Sequence, residues 1–279
     1  MHIPYSLATS YLLLGTSIGL VMWFAAGRFI DRDYNHQVWS RILLTAAVLA
    51  VLGVIFAILH LGHMERFMNL LANPASWLSR EGLFAGAFTG CTVLYFLLIK
   101  RSGVEAVKRL DPLLYLAVLA GLGTFICMGM IYASVQAIPT WNTTMVVLID
   151  IFSGLLLGGF LFLVLTGKEL PGNIIKPVIT GIFLVLLVSL IVNIAYDVQV
   201  RMTLSALAAQ GVTVPSLTLI TLIRVVIGLL VPVYLLGKSF KTKPELAASA
   251  FSIALACVLI GEVSAKIMHF MAAVKGPLF

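Results

Sequence analysis

The residues of this chain that could exchange protons are concentrated in one short segment, HLGHMERFMNLLANPASWLSREG, which runs from His60 to Gly82. The segment holds two histidines, two arginines, two glutamates and a tryptophan, whereas only 10% of the whole chain is charged. Imidazole and carboxyl groups can act as general acids and bases near neutral pH. The segment therefore predicts acid–base chemistry between two long apolar runs.

Eight apolar runs surround and follow this segment. The 279 residues are 61% hydrophobic, with a mean hydropathy of +1.09. About 20 apolar residues are enough to cross roughly 30 Å of hydrocarbon. The runs lie at approximately 6–27, 40–62, 80–99, 112–134, 145–166, 174–196, 216–236 and 246–268. The sequence predicts an all-α polytopic membrane bundle of eight transmembrane helices, forming a single integral membrane domain over residues 1–279.

The basic residues are distributed unevenly between the two ends of the predicted bundle. Twelve of the eighteen Lys and Arg residues flank the first, third, fifth and seventh connections: Arg28, Arg32, Arg41, Lys100, Arg101, Lys108, Arg109, Lys168, Lys176, Lys238, Lys241 and Lys243. The positive-inside rule makes that face cytoplasmic and puts both termini outside. The sequence has no stripe of basic residues on a soluble fold, so nothing in it indicates nucleic-acid binding. The segment 60–82 is then an outer loop, as are 135–144 and 197–216, the last with a possible short surface helix.

Ionisable residues within the spans all fall in the predicted outer half: His60, Glu81, Asp150, Asp197, Arg224 and Glu262. Charged side chains are costly in hydrocarbon, so such residues are functional candidates. The inner half shows nothing comparable, whereas a proton channel needs polar groups through both halves. The pattern predicts a pocket that opens on one side only.

The candidates between the second and third spans also have structural explanations. His60 could simply extend its ring to the interface at a helix end. Glu81 could be placed for the helix dipole behind an N-cap at Ser79. Trp77 fits an interfacial aromatic belt, and Arg80 could bind lipid phosphates or a partner protein.

The remaining candidates carry alternatives of the same kind. Arg66 could bind lipid phosphates or a partner protein. Arg224 and Glu262 could form a structural ion pair between the last two spans. Asp150 could be a proton relay or half of another ion pair.

Taken together, the set favours quinol chemistry. Oxidation of a quinol releases two protons and two electrons, so each ring oxygen needs a hydrogen-bonding base. His60 and Glu81 lie at facing helix ends, where an apolar slot between spans could hold the ring. The quinol pocket is predicted to contain His60, Arg66, Trp77, Arg80, Glu81, Asp150, Arg224 and Glu262, with His60 and Glu81 as the catalytic pair.

Several short motifs occur in order along the chain: HLG at 60–62 with Arg66, PASWLSRE at 74–81, PTW at 139–141, LGG at 157–159, Arg224, and GE at 261–262. In this order they resemble the membrane anchor subunits of the dimethyl sulfoxide reductase type, within the wider NrfD and polysulfide reductase anchor group. Eight spans with both termini outside is also the arrangement of that group.

The resemblance implies a complex in the bacterial cytoplasmic membrane, with partner subunits on the periplasmic side. A molybdopterin catalytic subunit and a four-cluster iron–sulfur subunit would sit on this anchor. Menaquinol would be oxidised at His60 and Glu81, Arg66 would match the arginine that follows HLG, and this chain would hold no metal or haem. Related anchors reduce quinone instead, so the direction stays open.

The chain departs from the family pattern at a few positions. Lys266 stands where an arginine often follows the glutamate of the last span. His63 and Glu65 replace small or apolar residues in the loop. Asp150 has no family counterpart, so its two interpretations stay open.

Two other function classes remain as alternatives. A haem b anchor would need one histidine from each of two helices, and His60 or His63 with His269 could supply them. A secondary transporter would need a midplane site at broken helices, whereas the polar groups here cluster near one surface. The cysteines Cys91, Cys127 and Cys257 have no metal-ligand spacing, so we expect them to be buried hydrophobic residues.

Overall fold

The computed structural model describes residues 4–30, 36–60, 73–101, 109–166, 169, 171–239 and 244–275. These ranges form eight long helices and contain no strand. We number them α1 Tyr5–Ile30, α2 His36–His60, α3 Trp77–Arg101, α4 Asp111–Ala133, α5 Met145–Thr166, α6 Gly172–Ala209, α7 Thr218–Ser239 and α8 Pro244–Met271. All eight are long and apolar enough to cross a membrane, which confirms the predicted all-α membrane bundle.

Helices α1 and α5 form the centre of the bundle. They are the two most buried spans, and α1 packs against both α2 and α5. Helix α3 packs mainly on α4, and α8 packs on α7 and α5. Large apolar side chains point away from the bundle along the outer helices, as Ile191, Leu219 and Tyr234 do. Such an apolar outer surface is compatible with the hydrocarbon core of a lipid bilayer.

Small residues and short hydrogen bonds hold α1 against its two neighbours. A Cβ on Gly19 would lie 1.8 Å from the carbonyl oxygen of Gly154, so only glycine allows the α1–α5 crossing. Ser10 donates to the carbonyl of Gly53 on α2 at 2.8 Å. Trp23 donates to the carbonyl of Leu155 on α5 at 2.9 Å. Close backbone approach and hydrogen bonds of this kind are the usual basis of helix association in membranes.

Helix α6 is longer than the sequence predicted. The predicted loop 197–216 is helical as far as Ala209, so the prediction of a separate surface helix was wrong. The 38-residue helix is about 57 Å long at 1.5 Å per residue, well beyond the roughly 30 Å of hydrocarbon. No proline or glycine interrupts the helix between 197 and 209, and the turn falls at Gly211, whose φ is +84°.

Helix α7 contains an irregular segment that the sequence did not predict. Residues Ile223–Leu230 form a π-helix, a widened geometry that is found frequently at functional sites. Within this segment, Gly228 faces Gly261 of α8. A Cβ on Gly228 would lie 2.5 Å from the Cα of Gly261, so the two backbones touch at this crossing.

Candidate functional site

An apolar cavity lies between α1, α2 and α3, at the end of the bundle where α2 ends and α3 begins. We call this end the site end and the space the apolar cavity. Its volume is about 110 Å³. It is lined by Leu7, Leu14, Val54, Ala57, Ile58, Leu78, Gly82, Ala85 and Gly86, together with two polar residues, His60 and Glu81. The structure therefore brings the two predicted catalytic residues to one cavity.

His60 is the last residue of α2, and its side chain is exposed. Its Nδ1 lies 3.3 Å from the hydroxyl oxygen of Ser6 on α1. This contact fixes the ring between two helices while the helix end leaves it accessible. The position matches the one expected from the sequence.

Glu81 is buried, with 8% of its surface exposed. It is the fifth residue of α3, because the helix begins at Trp77. Ser79 consequently lies inside the helix and does not cap it, contrary to the expectation. Glu81 interacts electrostatically with Asp150 and Lys266, although neither of these lines the apolar cavity.

Trp77 and Arg80 pair with each other at the start of α3. The Arg80 guanidinium lies 4.7 Å from the centroid of the Trp77 ring, and its Nε donates to the carbonyl of Pro74 at 2.9 Å. Neither residue lines the apolar cavity. Arg66, like His63 and Glu65, lies outside the described residues.

A second, smaller cavity of about 20 Å³ lies between α1, α4, α5, α6, α7 and α8. We call it the polar chamber. It is lined by Tyr11, Tyr132, Val146, Ile149, Asp150, Tyr196, Arg224, Ala265, Lys266, His269 and Phe270. Asp150 and Arg224 were predicted for the quinol pocket, and the structure places them here rather than with His60 and Glu81.

Asp150 and Lys266 form an ion pair in the wall of the polar chamber. Lys266 Nζ donates to Asp150 Oδ1 at 2.5 Å. The ammonium also lies 5.2 Å from the centroid of the Tyr11 ring, so it bridges α8, α5 and α1. The second carboxylate oxygen, Asp150 Oδ2, is buried and has no hydrogen-bond partner in the described part of the chain.

Arg224 and Glu262 are also buried, on α7 and α8 respectively. They interact electrostatically. Arg224 Nε, Arg224 Nη2 and Glu262 Oε2 nevertheless make no hydrogen bond among the described residues. Glu262 lines neither the apolar cavity nor the polar chamber.

His269 is packed among aromatic rings in the last turn of α8. It stacks on Trp141 with ring centroids 5.0 Å apart and meets the edge of Tyr132. Its Nδ1 lies 3.4 Å from the Tyr196 hydroxyl. His60 and His269 therefore line different cavities, and the pairing of these two that a haem site would need is not formed by the described residues.

A buried ion pair also lies at the opposite end of the bundle. Arg28 Nε donates to Asp111 Oδ1 at 3.1 Å, and both side chains are almost fully buried. The expectation that the other half of the bundle holds no comparable ionisable group was therefore wrong. The sequence assigned Arg28 to the first connection and did not single out Asp111, because the packing of α1 on α4 was not visible in it.

Three tyrosines of the polar chamber were not predicted from the sequence. Tyr11, Tyr132 and Tyr196 lie on three different helices, and each is buried. Their positions near the site end of each span were the available signal, but tyrosine is common at membrane interfaces and the signal is therefore weak.

Fold and site together define a helical membrane protein with an apolar cavity that holds a histidine and a glutamate at one end. A family model described as DMSO reductase anchor subunit (DmsC) matches residues 1–270. The chain belongs to this family.

A curated relative gives a second comparison. The chain is 30% identical over 172 residues to a sulfite dehydrogenase subunit from Allochromatium vinosum. That match covers 55% of this chain and 52% of the relative. The chain thus spans about half the length of the curated relative it matches.

Proposed function

We propose that this chain is the quinol-oxidising membrane anchor of a molybdopterin oxidoreductase complex, and that menaquinol reacts in the apolar cavity. Menaquinol is the substrate here, and electrons pass to a four-cluster iron–sulfur subunit docked at the site end. The iron–sulfur subunit then feeds a molybdopterin catalytic subunit, which handles the terminal substrate. The family membership supports the role of anchor.

The observation that carries the proposal is the lining of the apolar cavity. Its nine other lining residues are apolar or glycine, and His60 and Glu81 are the two that can exchange protons. Ligand sites usually combine apolar walls with a few placed polar groups. A quinol has the matching form, since it has a flat apolar ring with a hydroxyl on each side.

In the proposed reaction, each of the two polar residues of the apolar cavity accepts one proton from the quinol. His60 accepts a proton from one ring hydroxyl, while its Nδ1 stays near Ser6. Glu81 accepts the proton of the other hydroxyl as a carboxylate. The two electrons leave separately to the iron–sulfur subunit, so the quinol is converted to quinone without a covalent intermediate.

The uneven distribution of Lys and Arg supports an orientation. The end opposite the site end carries Arg28, Arg41, Lys100, Arg101 and Arg109, and the positive-inside rule makes that end cytoplasmic. The site end and the partner subunits would then face the periplasm of a bacterial cytoplasmic membrane.

Two variants test the proposal in the purified complex. His60→Ala and Glu81→Gln should each lower quinol-dependent turnover by about 100-fold or more, in line with the loss of a general base. Turnover driven by a reduced dye that feeds the catalytic subunit directly should be unchanged. Glu169→Gln is the matched control, because Glu169 forms an exposed ion pair with Arg41 at the other end.

One outcome of these assays would contradict the proposal, and a second would show a defect in assembly. Wild-type quinol turnover in both His60→Ala and Glu81→Gln would remove the apolar cavity as the oxidation site. Equal loss of dye-driven turnover would show instead that the variants damage assembly.

A further inference from the structure

The polar chamber contains several buried polar atoms without a hydrogen-bond partner in the described part of the chain, which is not expected around an ion pair with a purely structural role. Asp150 Oδ2, Arg224 Nε, Arg224 Nη2 and His269 Nε2 are all buried without a hydrogen-bond partner among the described residues. All three residues line the chamber. A buried pair that serves structure alone normally has its remaining atoms satisfied.

The chamber has room for one water molecule. A cavity needs about 10–15 Å³ to hold a water, and that water needs two to four polar partners. The chamber offers about 20 Å³, and the unpaired atoms of Asp150, Arg224 and His269 are such partners. A water there would satisfy groups that are otherwise costly to bury.

The chamber adjoins the apolar cavity through α1. Tyr11 lines the chamber, whereas Leu7 and Leu14, one turn away on either side of Tyr11, line the apolar cavity. Glu81 interacts electrostatically with Tyr11 and Asp150. The carboxyl groups of Glu81 and Asp150 thus interact across the boundary between the two cavities, beside the α1 face that holds Leu7, Tyr11 and Leu14.

The far side of the chamber is close to the surface of the site end. His269 lies two residues before the last residue of α8, Met271. The connection between α4 and α5 covers it, because Trp141 donates to the carbonyl of His269 at 2.8 Å. A proton that reaches His269 is therefore within a helical turn of the end of the membrane span.

We propose that the polar chamber is the exit route for quinol protons, with Asp150 as the relay that receives each proton taken up by Glu81. This rests on the proposed function. Glu81 gives its proton to the Tyr11 hydroxyl, which passes its own proton through the chamber water to Asp150 Oδ2. Tyr11 and the water end unchanged, Asp150 then releases the proton towards His269, and the electrons leave separately to the iron–sulfur subunit.

Lys266 has a positioning role in this route. Its ammonium holds Asp150 Oδ1 and so directs Oδ2 to the water. The pair also balances the charge of a carboxylate that would otherwise be strongly unfavourable in a low-dielectric interior.

The test compares two aspartates that are matched in burial and pairing. Asp150 is 5% exposed and Asp111 is 7% exposed, and each is paired with one cation. In the purified complex, Asp150→Asn should lower the quinol-dependent kcat by about tenfold or more, with an increased solvent isotope effect and an unchanged KM for quinol. Asp111→Asn should keep the wild-type kcat and isotope effect.

A second variant covers the case in which Asp150→Asn does not assemble. Tyr11→Phe removes one hydroxyl and keeps the ring that faces Lys266, and it should also lower kcat without raising KM. Wild-type kcat and isotope effect in either assembled variant would overturn the relay. A fall in kcat with a raised KM and an unchanged solvent isotope effect would overturn it as well.

Failure of the relay and failure of the proposed function give different results. Full turnover in both His60→Ala and Glu81→Gln removes the proposed function. Loss of turnover in Glu81→Gln together with wild-type kinetics in Asp150→Asn removes the relay alone.

Discussion

Blocking the apolar cavity without touching its polar groups is a sharp steric test of the proposed quinol site. Gly86 lines the cavity, and a Cβ built on it meets no atom within 4 Å. Gly86→Leu therefore adds a side chain of four carbon atoms at the cavity, and its Cβ enters open space. Leucine is also a better helix former than glycine by up to about 1 kcal/mol, so the helix should remain intact.

The expected loss follows from the surface that the ring can no longer bury. An aromatic ring buries about 150–250 Å² when fully enclosed, and apolar burial contributes about 25 cal/mol per Å². A quinol ring with one face in the cavity thus gains about 2–3 kcal/mol. Excluding it should lower the quinol kcat/KM by about 30- to 150-fold.

The control is a glycine one turn further along the same helix. Gly90 is exposed, a Cβ on it also meets nothing within 4 Å, and it does not line the cavity. Steady-state quinol oxidation by the purified complex should be impaired in Gly86→Leu and unchanged in Gly90→Leu, with dye-driven turnover equal in both. If Gly86→Leu oxidises quinol with the wild-type kcat/KM, the ring does not bind in this cavity.

The remaining predictions concern the α7–α8 crossing, and thermal unfolding in detergent measures both. Gly228→Ala should destabilise the protein by about 1–3 kcal/mol, because overpacking forces the two helices apart where a Cβ would lie 2.5 Å from Gly261 Cα. Gly237→Ala should instead be neutral or stabilising by up to about 1 kcal/mol, since a Cβ there meets nothing within 4 Å. Equal unfolding temperatures in the two variants would show that the close crossing is not formed.

Hydropathy was sufficient to predict the fold, because each span is a long apolar run that satisfies its own backbone hydrogen bonds. It was not sufficient where the helix continues past the hydrocarbon. Residues 197–209 are polar enough to suggest a loop, yet nothing in them breaks a helix, and α6 continues to Ala209. Gly228 lies within the π-helical segment of α7 and Pro232 follows it, but these two residues alone do not distinguish a π-helix from an ordinary kink.

The candidate site was predictable only in part. His60 and Glu81 lie at adjacent helix ends, so the order of the spans already placed them near each other. Asp150 and Arg224 lie at a similar depth, and depth alone cannot tell which face of a helix a residue occupies. The structure places both in the polar chamber, whose lining shares no described residue with that of the apolar cavity.

Covalent labelling of the purified complex with a photoreactive menaquinone analogue is the most direct measurement of where the ring binds. Peptide mapping should locate the label in the peptides around Leu7, Ala57 to His60, and Leu78 to Gly86, and unmodified menaquinol should compete for it. A competed label confined to the peptides of α6, α7 or α8 would contradict a quinol site between His60 and Glu81.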